Sequence, residues 1–345
     1  MGNGSDTGTC TKDAPCRTIG YAVSKVGLSS RNVIRVTGGA TAADAATVAV
    51  NVALTIDGTS TKITKPAGTI PWLRVDSPGN VTLEGVTVIG PAEDDTNPTI
   101  NVGTNATLVI GPGTDMIGTI RVEDGTVRVE RGQVSSGISC STGTVDIVDA
   151  LFTSVNEGLP QVGAQSCGVT VRRSRFSHVG PMIRASGGKV VVENNVFASK
   201  LEYADAVAIS NVQSGSVFTF NTVVNTVQSD TGDGVALNCD ATLDVSNNIF
   251  AYRSQHPFMY AAGCLAKYSV FDDVALPLPT TPIESSFHPF VSLFENPVFG
   301  DFHLSSGSPA RQAADPASDV TEDLEGNVRP RPTGTRADVG AFEAD

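Results

Sequence analysis

The sequence predicts an all-β chain wound as a right-handed, single-stranded parallel β-helix, a solenoid with a helical N-terminal cap and an irregular C-terminal tail. Three observations carry that expectation: an apolar motif that recurs about every two dozen residues, a composition suited to strands and turns, and cysteines spaced to bridge neighbouring coils.

The motif is a short strand of alternating apolar residues, a few polar residues, then a second apolar pair. It reads Val81-Thr82-Leu83-Glu84-Gly85-Val86-Thr87-Val88 and again Val190-Val191-Val192-Glu193-Asn194-Asn195-Val196-Phe197. It returns from Val145 to Phe152, Val169 to Phe176 and Leu243 to Phe250, and more loosely from Val217 to Val224 and Tyr268 to Phe271. Phe152, Phe176, Phe197, Val223, Phe250 and Phe271 close successive motifs at unequal steps, which a solenoid tolerates because a turn can grow without disturbing its neighbours. Earlier coils are readable at Ile34 to Val36, Leu54 to Ile56, Leu73 to Val75, Ile100 to Val102, Ile120 to Val122 and Val127 to Val129. Alternation sends one set of side chains into a continuous interior column and the other set to water. Asn195, Asn221 and Asn248 each stand just before a closing position, so they should stack as an inward amide ladder that satisfies turn backbone.

Composition agrees. Among 345 residues there are 35 glycines, and only 17% are charged, which favours short strands and tight turns over long helices. A net charge of -13 argues against nucleic acid, whose binding draws on Lys and Arg. No apolar run approaches the roughly 18 residues of a membrane span, since the longest, Ala45 to Ile56, is broken by Asn51. The opening Met1-Gly2-Asn3-Gly4 has neither a basic nor an apolar leader segment, so any export signal is expected to have been removed before this point.

The six cysteines fall into three local pairs, Cys10 with Cys16, Cys140 with Cys167, and Cys239 with Cys264, without Cys-x-x-Cys or zinc spacing. Cys239 and Cys264 each precede an anchor, Leu243 and Tyr268, by the same distance, which places them in one lane of adjacent coils. Three disulfides imply an oxidising compartment, hence an extracellular, cell-surface or periplasmic location; six buried thiols in a cytosolic protein are the alternative.

Two further stretches carry a resemblance. The opening Gly4-Ser5-Asp6-Thr7-Gly8-Thr9-Cys10 and Pro15-Cys16-Arg17-Thr18-Ile19-Gly20-Tyr21-Ala22 resembles the N-terminal cap of pectin-lyase-like right-handed β-helix proteins. Thr18 is a suitable helix start, and Ile19, Ala22, Val23 and Val26 share one face. The tail, Asp301-Phe302-His303-Leu304-Ser305-Ser306-Gly307-Ser308-Pro309-Ala310, Asp323-Leu324-Glu325-Gly326-Asn327-Val328-Arg329-Pro330 and Asp338-Val339-Gly340-Ala341-Phe342-Glu343, is similar to the endings of bacterial exported β-helix repeat proteins. The expected organisation is a cap over residues 1–32, coils over 33–276, and an extended tail over 277–345 packed on the helix, in one domain.

Polar turns after the closing apolar residue should align on one side of the solenoid. They offer substrate-binding candidates Glu157, His178, Arg184, Glu202, Tyr203, Asp230, His256 and Tyr260, and catalytic candidates Lys200, Asp205, Asp233 and Arg253. The phrase Asp205-Ala206-Val207-Ala208-Ile209 returns as Asp233-Gly234-Val235-Ala236-Leu237, so the two carboxylates should sit about one strand spacing apart. Such a pair can attack a glycosidic bond, share a proton, hold calcium, or simply cap strand amides. Lys200 and Arg253 could neutralise a uronate carboxylate for a lyase. Arg172, Arg173 and Arg175 form a basic cluster that either holds an anionic glycan or solubilises an outer sheet face. His288 and His303 lack metal-ligand spacing and are expected to be structural. No cofactor is required by this reading, and calcium is the one metal it accommodates.

Three functions fit. The first is an exported or surface module that binds polysaccharide or a cell-surface glycan; the second is a polysaccharide lyase or glycoside hydrolase; the third is a structural surface or filament component. The resemblance implies carbohydrate chemistry on the helix exterior, yet no enzyme-family motif accompanies it, so the first is favoured.

Overall fold

The computed structural model describes residues 4–26, 32–37, 40–42, 46–65, 71–90, 97–154, 159–199, 205–225, 235–251, 259–260, 264–272 and 284–344. It divides into two units, Met1–Asp146 and Ile147–Asp345.

In the first unit the chain enters through a loop tied by the Cys10–Cys16 disulfide. Asp6 ties this loop to the start of the helix: its carboxylate accepts the Arg17 and Thr18 N–H groups at 2.9 and 3.0 Å and the Thr18 hydroxyl at 2.9 Å. The Thr18 hydroxyl in turn accepts the Tyr21 N–H at 3.2 Å, capping the helix Ile19–Val26 as the sequence predicts. That helix buries Ile19, Ala22 and Val26. The strands of this unit pair in three lanes, and each pairing is parallel. The first lane aligns Val33 with Thr55, Leu54 with Val81, Val81 with Leu108 and Leu108 with Val127. The second aligns Ile63 with Val88, Val88 with Met116 and Met116 with Val134. The third runs Val48, Leu73, Ile100, Ile120. Pairing each strand with the equivalent strand one winding later is the defining connectivity of a parallel β-helix, and the chirality of parallel crossovers makes it right-handed.

The second unit repeats the scheme. Its third lane aligns Val162, Ile183, Val207, Leu237 and Met259, and its first aligns Val169 with Val190 and Phe218 with Val245. The second lane carries the closing residues in register: Phe152, Phe176, Phe197, Val223, Phe250, Phe271 and Phe287. Strand Ser286–His288 thus adds a rung beyond residue 276. Phe152, Phe176 and Phe197 stack at 4.7 and 5.0 Å between centroids. Where Val223 offers no ring, Phe218 of the first lane enters the gap, 6.0 Å from Phe197 and 6.3 Å from Phe250, and Phe271 and Phe287 continue the column at 5.3 Å each. Offset stacking adds about 0.5–1.5 kcal/mol per pair to the apolar burial.

Between the first and second lanes the backbone turns through one left-handed residue per coil: Arg173, Asn194, Phe220, Asn247 and Tyr268, with φ between 46° and 58°. The residue after each points inward and builds the predicted ladder. Asn195 N–H donates to Asn221 Oδ1 at 3.0 Å, and Asn221 N–H to Asn248 Oδ1 at 2.8 Å. Serines extend it at both ends, which the asparagine pattern alone does not reveal: Ser174 N–H donates to Asn195 Oδ1 at 2.9 Å, and Asn248 N–H to Ser269 Oγ at 3.2 Å. The same alignment corrects the cysteine register. Val245 pairs with Ala266, so Tyr268 corresponds to Asn247 and not to Leu243. Cys239 and Cys264 are nevertheless bonded, with Cα atoms 5.7 Å apart. Cys140 and Cys167 are also oxidised, and no cysteine is free. Alkylation of the unfolded, unreduced protein should therefore label none of the six cysteines; labelling read by intact mass would refute this.

From Glu284 onward the tail covers the second lane's outer face. Val196, Phe220, Val224, Ile249, Ala251 and Val270 share one apolar cluster with tail residues Leu293, Phe294, Phe302, Leu304, Leu324, Val339 and Phe342. Polar pins fix the tail's course: Asn194 Nδ2 donates to Glu322 O at 2.7 Å, Asp315 N–H to Asn247 Oδ1 at 2.7 Å, and Ala341 N–H to Thr222 Oγ1 at 3.0 Å.

Candidate functional site

With the second lane's outer face covered in the second unit, its third lane presents a row of outward residues in direct register: Gly163, Arg184, Ala208 and Asn238. This row adjoins the turns in which the sequence places its candidates. Of those, Glu157, Lys200, Glu202, Tyr203, Asp230, Asp233, Arg253 and His256 lie outside the described residues, so the expected pairing of Asp205 with Asp233 has no geometry to report. For Tyr260 only the backbone is described, opposite Asn238.

Asp205 sits at the mouth of the third lane, before strand Val207–Ser210. Its Oδ2 accepts the Asn238 side-chain N–H at 2.9 Å and its Oδ1 lies 3.4 Å from the Val235 N–H, so it ties two successive coils. Such bonding to both oxygens holds the carboxylate in place and orients the Asn238 amide on the outer face. His178 ends strand Arg175–His178 with 1% exposure, and its Nδ1 accepts the Gly180 N–H at 2.8 Å. It shapes the turn from inside.

Arg184 is different. It is exposed on strand Ile183–Ser186. The other strand arginines among the described residues each face a carboxylate: Arg35 with Asp57, Arg74 with Asp76, Arg121 with Glu123, Arg128 with Asp146, Arg172 with Glu193, and Arg175 with Glu325. Arg184 has no such partner among the described residues, although the chain is strongly acidic. The basic cluster of Arg172, Arg173 and Arg175 is occupied internally. Arg173 holds Asp149 at 2.8 Å and Glu322 at 3.4 Å, and its hydrogen bond to Asp149 raises its pKa further despite partial burial. Arg173 and Arg175 therefore anchor the tail, while Arg172 pairs with Glu193 of the next coil. Among the described residues no group of three or more His, Cys, Asp or Glu side chains is arranged to hold a metal.

No family model matches the chain, and no curated protein matches it. Solved structures similar to it include tailspike protein 3 of bacteriophage CBA120, at a TM-score of 0.41 and 12% identity over 82% of this chain and 58% of that one. Another is a variant of the PL6 family alginate lyase AlyGC, at a TM-score of 0.32 and 12% identity over 78% of this chain and 52% of that one. The chain thus spans little more than half the length of either. The assignment rests on the strand register itself: with three lanes of in-register parallel strands repeated winding after winding, the chain is a right-handed parallel β-helix protein.

Proposed function

We propose that the chain binds an acidic polysaccharide along the outer face of the third lane in its second unit. The observation that carries this reading is Arg184, an exposed guanidinium that faces no carboxylate among the described residues, where its counterparts on other strands have one. A planar fork of donors matches a sugar carboxylate in two parallel hydrogen bonds. Gly163 and Ala208 flank Arg184 in register, so no bulky side chain crowds it along the row. Asn238, oriented by Asp205, adds an amide able to donate and accept toward sugar hydroxyls. A lane of parallel strands offers such groups at one-strand intervals of about 4.8 Å, a spacing that suits a repeating polymer. The oxidised cysteines support residence in an oxidising compartment, where such polymers are met.

The test is binding to polygalacturonate, alginate and a neutral glucan. The acidic polymers should bind and the glucan should not. Arg184→Ala should weaken binding about tenfold to a hundredfold, the loss of one charge-assisted contact. Unchanged affinity in that variant, or equal affinity for the glucan, would overturn the reading. Release of reducing ends together with unsaturated ends would convert it to a lyase, and reducing ends without unsaturation to a hydrolase.

A further inference from the structure

Away from the third lane, the tail meets the coils through a chain of charged groups that the glycan reading does not use. His303, on strand Asp301–Leu304, stands between two carboxylates: its Nδ1 is 2.6 Å from Asp301 Oδ1, and its Nε2 is 3.3 Å from Glu325 Oε2. Glu325 Oε1 also meets the Arg175 guanidinium of the second lane at 3.3 Å. Phe342 closes the group, with its ring 4.3 Å from the imidazole and 5.3 Å from the guanidinium. The cluster joins four separate pieces of chain: the tail strand, the loop of residues 322–328, the segment that carries Phe342, and a coil strand.

A neutral imidazole has one N–H and one bare nitrogen, whereas a carboxylate offers only acceptors. A histidine flanked on both nitrogens by carboxylates is satisfied on both sides only as imidazolium; on losing its proton it turns a lone pair toward one of them. We propose that His303 is a pH-dependent clasp that holds the 322–328 loop of the tail on the second lane when protonated and loosens it when the proton leaves.

The groups facing His303 set the direction. Desolvation pulls its pKa down, but the hydrogen bonds to Asp301 and Glu325 and their charges outweigh it and raise the pKa above the ordinary imidazole value. Its contribution to stability is therefore complete below the unfolded-state pKa and is lost as pH rises through the folded-state value. Asp301 works the other way. The hydrogen bond from His303 depresses its pKa, so its contribution is present at neutral pH and is lost only well into acid. Arg175 faces the same loop from the coil side, 3.3 Å from the other oxygen of Glu325, so that carboxylate sits between the imidazole and the guanidinium. The clasp is tightest in mildly acidic medium and weakens as pH rises through the raised folded-state pKa of His303.

Hydrogen–deuterium exchange of the intact protein at about pH 5.5 and about pH 8.5, corrected for intrinsic rates, reads this directly. Peptides covering residues 301–304 and 322–328 should open at least threefold more at the higher pH, and His303→Gln should remove that difference. A pH effect that persists in His303→Gln overturns the proposal, as does equal opening at both values in the native protein. An independent reading is the imidazole titration by proton NMR: a midpoint at or below about 6.5 refutes the clasp even if the variant folds poorly. Polysaccharide binding at Arg184 is a separate measurement, and its failure leaves this result standing.

Discussion

Replacing Arg329 by alanine should destabilise the second unit by about 3–5 kcal/mol, the cost of breaking a buried ion pair from one side. Arg329 is fully enclosed at the centre of the tail. Its guanidinium donates to Asp338 O and Gly340 O at 2.7 Å each and to Glu343 Oε2 at 3.1 Å, while Phe220 of the coils lies 4.5 Å beneath it. Burial lowers its pKa to about 10, so it remains charged at neutral pH. Glu343 also receives the N–H groups of Arg331 and Asp338 at 2.9 and 3.0 Å, yet burial pushes its pKa up. Removing the arginine leaves that carboxylate buried without a cation and two carbonyls without donors. Urea midpoints should report the loss, and combining Arg329→Met with Glu343→Gln should recover part of it, because no lone charge then remains. A single variant within about 1 kcal/mol of the native protein would show that the tail hub does not hold the fold.

The second large effect is in the ladder. Asn221→Ala should cost about 2–4 kcal/mol, since it strips partners from several buried groups at once. The Asn195 N–H and side chain lose their acceptor at 3.0 Å, Val192 O loses its donor at 3.0 Å, and Asn248 Oδ1 loses the side-chain donor at 3.2 Å. Asn221→Asp keeps an acceptor for Asn195 but places a carboxylate against Asn248 Oδ1 and Val192 O, so it should be at least as damaging at neutral pH and milder in acid. Denaturant unfolding of the two variants across pH distinguishes this from simple loss of volume, which would make the alanine variant the worse of the two at every pH.

The coils are legible in the sequence because the periodicity is physical. A residue that must face the interior at one winding must do so again at the next, and Phe152, Phe176, Phe197, Phe250 and Phe271 keep that rhythm. Phe218 is not legible as part of the column. It belongs to a different lane and fills the interior only because Val223 leaves room, a contact fixed by volume and not by spacing. The serine rungs are hidden for a related reason, since a hydroxyl can replace an amide as acceptor without leaving the same sequence signature. In the tail, the words Arg329-Pro330 and Asp338-Val339-Gly340 signal a kind of ending, but nothing in their spacing shows that Arg329 is swallowed whole.

The site is less legible than the fold, and the solenoid itself explains why. A turn can lengthen without altering any rung, so its residues are not held to a register, and alignment by coil places Asp205 and Arg184 without saying how far either reaches. Exposure and pairing come only from the folded chain. They separate Arg184, which is exposed and faces no carboxylate among the described residues, from Arg173, which is spoken for by Asp149 and Glu322.

The covalent link between Cys239 and Cys264 has a mechanical consequence. In a stack where each layer leans only on its neighbours, melting starts at an end and advances like a zipper. A bond joining two consecutive layers near the C-terminal end halts that advance until both open together. Under reducing conditions the last windings should fray independently of the body, so thiol state sets how many layers behave as one cooperative block.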